Sequence, residues 1–367
     1  MEDNFRANLG LDVKILDWLT LKVKGDIYKI FKTYEAKVFA TGQSNYDGSK
    51  YEINDDRKDQ YKVTGMLSAR HSFEDFNISG SVAAEQWDTR SGYHNTKSTN
   101  GLRIPGQYDM TNSVAPATTE VRYKTKRKRI NSVYAFANMD YKSQIFLDIT
   151  GRNDWSSALI YADGTGTTSY FYPSVSASWI MTETFRDQLP DFLSFAKIRG
   201  SYAVVGNDCD PYLTTATGYY TFDNTYVNPF DSKDYPYYKY DSEYLRNNAL
   251  KPEKQYALEF GLEAKFFNNR LGFDLAYYKT NTKNQILALS MPKETGVTAR
   301  WINAGNIQNS GVELLINATP IETKDWLWDL SLNLTHNSNK IIELAPGVER
   351  YKLKGGGGDT EAWATVG

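Results

Sequence analysis

Apolar and polar residues alternate with a period of two along most of this chain, in segments that come in pairs. Between 256 and 266, Tyr256, Leu258, Phe260, Leu262, Ala264 and Phe266 interleave with Glu259, Gly261, Glu263 and Lys265. The alternation resumes at Leu271, Phe273, Leu275 and Tyr277, set against Gly272, Asp274 and Ala276. Successive side chains of a strand point to opposite faces, so each segment is a strand with one apolar and one polar face. The same reading predicts about twelve strands. They pair near 4–16 and 18–30, 59–73 and 76–88, 126–141 and 143–153, 168–182 and 196–206, 256–266 and 271–277, and 306–321 and 326–340.

The connections alternate too. Phe73-Glu74-Asp75-Phe76, Phe267-Asn268-Asn269-Arg270 and Glu322-Thr323-Lys324-Asp325 are tight turns inside pairs. Long polar stretches separate the pairs, at 31–58, 89–125, 154–167, 207–251 and 284–305, with another after 341. Short connections at one rim and long ones at the other are the signature of an antiparallel transmembrane β-barrel. The charged residues on the polar faces suit a water-filled or plugged lumen and not lipid. A sheet in lipid must close, because an open edge leaves backbone groups without partners. Twelve strands either close as a small barrel or form part of a larger one.

Composition agrees without deciding. Apolar residues make up 41% of the 367-residue chain, mean hydropathy is −0.56, and no apolar run approaches the ~20 residues of a spanning helix. A barrel escapes that test, since only alternate residues meet lipid. Aromatic residues reach 14%, as expected of girdles at both membrane interfaces; a tyrosine-rich soluble sheet shares this content. A net charge of −2 offers no field for nucleic acid. The basic run Lys124, Lys126, Arg127, Lys128 and Arg129 reads as the solvated start of a strand. The single Cys209 excludes an intrachain disulfide framework and reads as a loop thiol. Residues 1–30 lack a basic start followed by an apolar core, so a chain truncated at its N-terminus is expected.

Chemistry-bearing residues are sparse. The three histidines, His71, His94 and His336, have no Gly-x-Ser-x-Gly elbow to serve. His71 and His336 are expected near strand ends at opposite rims, which argues against catalysis. Asn207, Asp208 and Asp210 read as solvated loop residues ahead of a Ca²⁺ site. Gly355-Gly356-Gly357-Gly358 lacks the continuation of a phosphate-binding loop. No catalytic, cofactor or metal residue is assigned. The 207–251 stretch stands out for its aromatic residues, among them Tyr212, Tyr219, Tyr220, Phe222, Tyr235, Tyr237 and Tyr238. Rings with hydroxyl tips suit stacking on sugar or peptide ligands, or docking to a partner; packing of the loop on itself is the alternative.

Short blocks carry a resemblance when taken in order. They are Arg152-Asn153-Asp154-Trp155-Ser156-Ser157, Tyr172-Pro173-Ser174, Lys197-Ile198-Arg199-Gly200-Ser201-Tyr202, Gly206-Asn207, Leu250-Lys251-Pro252-Glu253, Phe266-Phe267 with Asn269-Arg270, and Asn303-Ala304-Gly305 through Gly311-Val312-Glu313. In this order they resemble the SusC/RagA family of TonB-dependent outer-membrane transporters. The resemblance spans about 130–345. It implies a barrel of ~22 strands, with 1–367 as a barrel segment that lacks signal peptide, plug and final strands. It also implies import of oligosaccharide or peptide across the outer membrane, a SusD-like surface lipoprotein and the TonB complex as partners, and no enzymatic activity. Arg199 and Glu313 read as lumen-facing charges. The rival readings are a small porin- or adhesin-like barrel without TonB coupling and a soluble β-rich glycan-binding protein.

Overall fold

The computed structural model describes residues 1–39, 49–98, 100–115, 120–161, 163–166, 168–214, 220–227, 229–240, 244–245, 247, 249–295, 297, 299–353 and 362–367. Of these, 120–124, 220–227, 234, 236–240, 244, 293, 352–353 and 362 are described in backbone alone. Twelve long antiparallel strands dominate. They are β1 (Glu2–Leu16), β2 (Leu19–Val38), β3 (Lys50–Phe73), β4 (Phe76–Lys97), β5 (Glu120–Tyr141), β6 (Ile145–Ser156), β7 (Ser169–Ile180), β8 (Leu193–Asn207), β12 (Glu253–Phe266), β13 (Leu271–Ser290), β14 (Ala299–Glu322) and β15 (Leu327–Glu343). Each pairs with its sequence neighbour, and β8 pairs with β12 across the longest connection. That connection holds the hairpin β9 (Tyr220–Val227) and β10 (Asp234–Tyr240), and the two-residue β11 (Tyr244–Leu245), which lies parallel to β14. A small hairpin, β16 (Arg350–Leu353) with β17 (Ala362–Thr365), follows β15.

The expected strands are present, but their bounds change. β2, β3, β4, β5, β13 and β14 run on into the stretches read as loops at 31–58, 89–125 and 284–305, which shrink to 39–49, 98–119 and 291–298. The reason is physical. Alternation survives only where one face meets an apolar medium; beyond it both faces are wet, and a strand's side chains turn polar throughout. The 207–251 stretch likewise contains a hairpin. Gly355 to Gly358 lie outside the described residues.

Two compact units divide the chain. The first comprises Met1–Ile15, Thr20–Leu67 and Ala83–Asn131, and the second Leu16–Leu19, Ser68–Val82 and Ser132–Gly367. In the second, register gives each face its character. Ile145, Trp179, Ile198, Leu262, Leu275, Leu314 and Leu334 form one directly opposed row across β6, β7, β8, β12, β13, β14 and β15. Every member is apolar, and Ile145, Ile198, Leu275 and Leu334 are exposed. One residue along, on the other face, Ser178, Arg199, Gly261, Ala276, Glu313 and Thr335 form the matching row. Large exposed apolar side chains on one face and charges on the other invert the soluble pattern, as a membrane-facing wall requires.

The turn at 267–270 uses left-handed backbone. Phe267, Asn268 and Asn269 all have φ between 56° and 68°, and Phe267 N donates to Phe192 O at 2.8 Å. Asparagine tolerates this region better than most residues, which suits the sequence Asn-Asn here. Between β7 and β8 the one-turn helix α1 (Met181–Thr184) fills the somewhat longer turn.

In the first unit, the basic run does more than face solvent. Arg127 and Arg129 on β5 both donate to Asp88 Oδ2 of β4, through Nη2 atoms at 2.7 and 3.0 Å, and Arg90 Nε donates to Oδ1 at 3.2 Å. Asp88 is only 6% exposed; a buried carboxylate needs such donors. Sequence alone did not pair them, because the alignment of β4 with β5 decides which charges meet.

Candidate functional site

The motif ending β6 organises the long-loop ends of β6, β7 and β8. Arg152 and Asp154 are two apart on one strand and therefore share a face. Arg152 Nε donates to Asp154 Oδ1 at 2.8 Å and its Nη2 to Ser132 Oγ at 2.8 Å, with the guanidinium 4.9 Å from the centre of the Tyr134 ring. The Tyr172 hydroxyl donates to the other oxygen of Asp154, which is 6% exposed. Ser156 then caps a short turn, accepting from Ala158 N at 3.2 Å and donating to Asp208.

Around this turn lies a small apolar core of Ala158, Leu159, Tyr170 and Cys209. Cys209 Sγ donates to Ala158 O at 3.2 Å, and Thr214 Oγ1 to Ile160 O at 2.6 Å. At the far end of the 208–252 connection, Tyr161 Oη donates to Leu250 O at 3.0 Å. Lys251 exchanges two hydrogen bonds of 2.7 Å with the Asn303 side chain. Asn247 N donates to Leu213 O at 3.3 Å. Both ends of the aromatic-rich connection are thus fastened to the strand ends, and its base is closed. Ligand-binding loops on rigid scaffolds are commonly held by a packed base of this kind.

The seven singled-out aromatic residues fare differently. Tyr212 sits at the base, 46% exposed, with φ of 70°. Tyr235 is 41% exposed, and its hydroxyl donates to Asp231 Oδ2 at 2.6 Å. That bond, with the Lys233 backbone N–H, holds the Asp231 carboxyl below its ordinary range and pushes the Tyr235 phenol up. Tyr220, Phe222, Tyr237 and Tyr238 belong to the β9–β10 hairpin, where Phe222 opposes Tyr238 and a bulge separates Tyr237 from Tyr238. Tyr219 lies outside the described residues.

Other sequence readings change here. Cys209 is 5% exposed and sits in the core, not in an open loop; apolar neighbours from β7 and the β6–β7 connection, distant in sequence, bury it. His71 is near the short-turn end of β3, its ring 4.4 Å from Phe73. His336 is mid-strand, opposite Val312 in the apolar-face register and not at a rim. Asn207 donates to Glu253 Oε2 at 3.1 Å, so it and Asp208 turn to separate partners. Among the described residues no group of three or more His, Cys, Asp or Glu is placed to hold a metal ion.

Comparison with known proteins adds the family. The model for "TonB dependent receptor-like, beta-barrel" matches residues 2–363. TonB-dependent receptor P26 of Formosa agariphila is 32% identical over 218 residues, 59% of this chain and 21% of that protein. TonB-dependent receptor SusC of Bacteroides thetaiotaomicron is 31% identical over 228 residues, 60% of this chain and 22% of that protein. The chain therefore spans about a fifth of these relatives' length in its matched part. Among solved structures, the RagAB peptide transporter superposes over 100% of this chain and 39% of its own, with TM-score 0.76 at 21% identity. The ferripyoverdine receptor of the Pseudomonas aeruginosa outer membrane covers 96% of this chain with TM-score 0.54 at 15% identity. At these identities the two structures speak to fold alone.

Proposed function

The chain belongs to the TonB-dependent receptor-like β-barrel family, with relatives of the SusC type, and from that premise we propose that it is a segment of an outer-membrane nutrient importer. The segment supplies barrel wall and external loops. Its cargo is an oligosaccharide or a peptide, its lid a SusD-like surface lipoprotein, and its energy comes from the TonB complex acting through a plug region elsewhere in the longer protein. The observation that carries this reading is the family match over 2–363, joined to a sheet with one apolar and one charged face. A small uncoupled barrel or a soluble glycan-binding protein accounts for neither the match nor the SusC-type relatives.

Within this reading the anchored 208–252 connection is the external vestibule. Tyr212 and Tyr235 present exposed rings there, and with Tyr219, Tyr220, Phe222, Tyr237 and Tyr238 of the same stretch they are the proposed contacts for ligand or lipoprotein. The test is deletion of the gene for the full-length parent, with growth measured on single oligosaccharides and peptides as sole carbon source. Loss of growth on one class, restored by the intact gene and not by one lacking residues 216–245, is the expected result. Undiminished growth and uptake on every source would defeat the proposal.

A further inference from the structure

On the polar face of the first unit, a cavity of about 370 Å³ opens across β1 to β4, lined by Arg6, Lys24, Asp26, Gln60, Lys62 and Trp87. Its size falls in the range of small-ligand pockets, roughly 300–1,000 Å³. Asp26 is its anomaly. Both carboxylate oxygens are fully buried, and neither has a hydrogen-bond partner among the described residues. Lys24 Nζ stands 3.2 Å from Oδ1 without hydrogen-bond alignment, and Lys62 Nζ is 4.0 Å from Oδ2. Lys62 is equally 4.0 Å from Glu85 Oε2, so it hangs between two carboxylates at the outer limit of ion pairing. Asp26 therefore sits beneath the cavity surface as the counter-charge that holds Lys24 and Lys62 beside it.

We propose that this cavity binds an acidic saccharide unit, a pyranose carrying a carboxylate or a sulfate; the proposal rests on the import reading above and names its cargo. The chemistry of the lining selects that class. Lys24, Lys62 and Arg6, three cations around one cavity-lining carboxylate, take the anionic substituent through charge-assisted hydrogen bonds. Trp87 gives a flat apolar face for the ring carbons, with Gln60 as a further polar contact. A neutral sugar meets the Trp87 requirement but leaves the cations with solvent. A peptide supplies N–H donors but no saturated ring face.

The experiment is isothermal titration of the purified full-length parent in detergent with four probes: trigalacturonate, a sulfated galactose disaccharide, maltotriose and trialanine. Binding of one or both acidic sugars at least tenfold tighter than maltotriose or trialanine is expected, and which acidic sugar wins identifies the substituent. Trp87→Ala lowers that affinity about tenfold or more, and Lys62→Gln reduces the preference for charge severalfold. Unfolding midpoints of the variants, compared with the parent, separate these effects from loss of structure. Equal affinity for maltotriose, preference for trialanine, or acidic-sugar binding unmoved by Trp87→Ala and Lys62→Gln overturns the proposal. If the parent still imports some other nutrient, only this inference falls; if it imports nothing, the import reading falls with it.

Discussion

Arg199 on β8 reaches over the whole width of β12 to grip Asp274 on β13, its Nη1 and Nη2 meeting the two carboxylate oxygens at 3.2 and 2.9 Å. Gly261 of β12 lies under the guanidinium, and a Cβ there would stand 2.5 Å from Arg199 Cζ. The same device recurs two strands on. Tyr278 of β13 crosses Gly311 of β14 to donate to Asn337 of β15 at 3.2 Å, and a Cβ on Gly311 would meet Tyr278 Oη at 2.6 Å and His336 O at 2.5 Å. Glycine in these strands is a groove through which a long side chain ties strands that are not neighbours.

The two glycines should differ in tolerance. Gly261→Ala collides with a movable side chain and is expected to cost about 1 kcal/mol, whereas Gly311→Ala also meets backbone and should cost about 2–3 kcal/mol. Arg199→Ala should suppress the effect of Gly261→Ala, while Tyr278→Ala should not suppress that of Gly311→Ala. Urea unfolding of the parent in lipid vesicles reads both, and equal costs with equal rescue would show that the crossings do not explain the glycines.

A charge placed on either face tests which one meets lipid. Leu275→Arg, in the apolar row, is expected to cost about 2–4 kcal/mol in a bilayer. Thr335→Arg, in the polar row, should stay within about 0.5 kcal/mol. Comparable losses at the two positions would mean that the faces are misassigned.

Cys209 should resist alkylation in the folded parent. Its thiol is 5% exposed and donates to Ala158 O, so a maleimide should label it only after denaturant opens the small core. Rapid labelling under native conditions would contradict the packing described.

Asp163, in the β6–β7 connection, accepts from the Thr165 hydroxyl at 2.6 Å and the Thr165 N–H at 2.9 Å, and these donors hold its carboxyl below the ordinary value. A depressed carboxyl stabilises the turn at all pH above the unfolded value. That contribution is lost as pH falls through the folded value. Side-chain ¹³C titration should therefore show Asp163 protonating later than a free aspartate on acidification, and Thr165→Val should remove much of the difference. A titration at the ordinary value in the intact protein would refute the assignment.

Much of the wall was legible from residues alone, because the two-residue period and the turn residues are local. Leu262, Leu275 and Leu334 declare their face by their neighbours in sequence, and the Asn268-Asn269 turn declares its rim. The aromatic connection at 207–251 was also visible. Its closed base was not, since Tyr161 meets Leu250 and Lys251 meets Asn303 across separations of 89 and 52 residues. Strand ends were misread where alternation fades, as at β2, β4 and β14.

Local sterics and solvation along the chain set the strand class, the pairing of consecutive strands and the sidedness of the sheet, for any chain with this alternation must bury or expose one face as a whole. Register and loop closure belong to the tertiary structure. They bring Arg127 and Arg129 onto Asp88, carry Arg199 over Gly261 and seal Cys209 under the β6–β7 connection. No period encodes those meetings, because each depends on how distant strands align, and a shift of one residue would turn every partner to the other face.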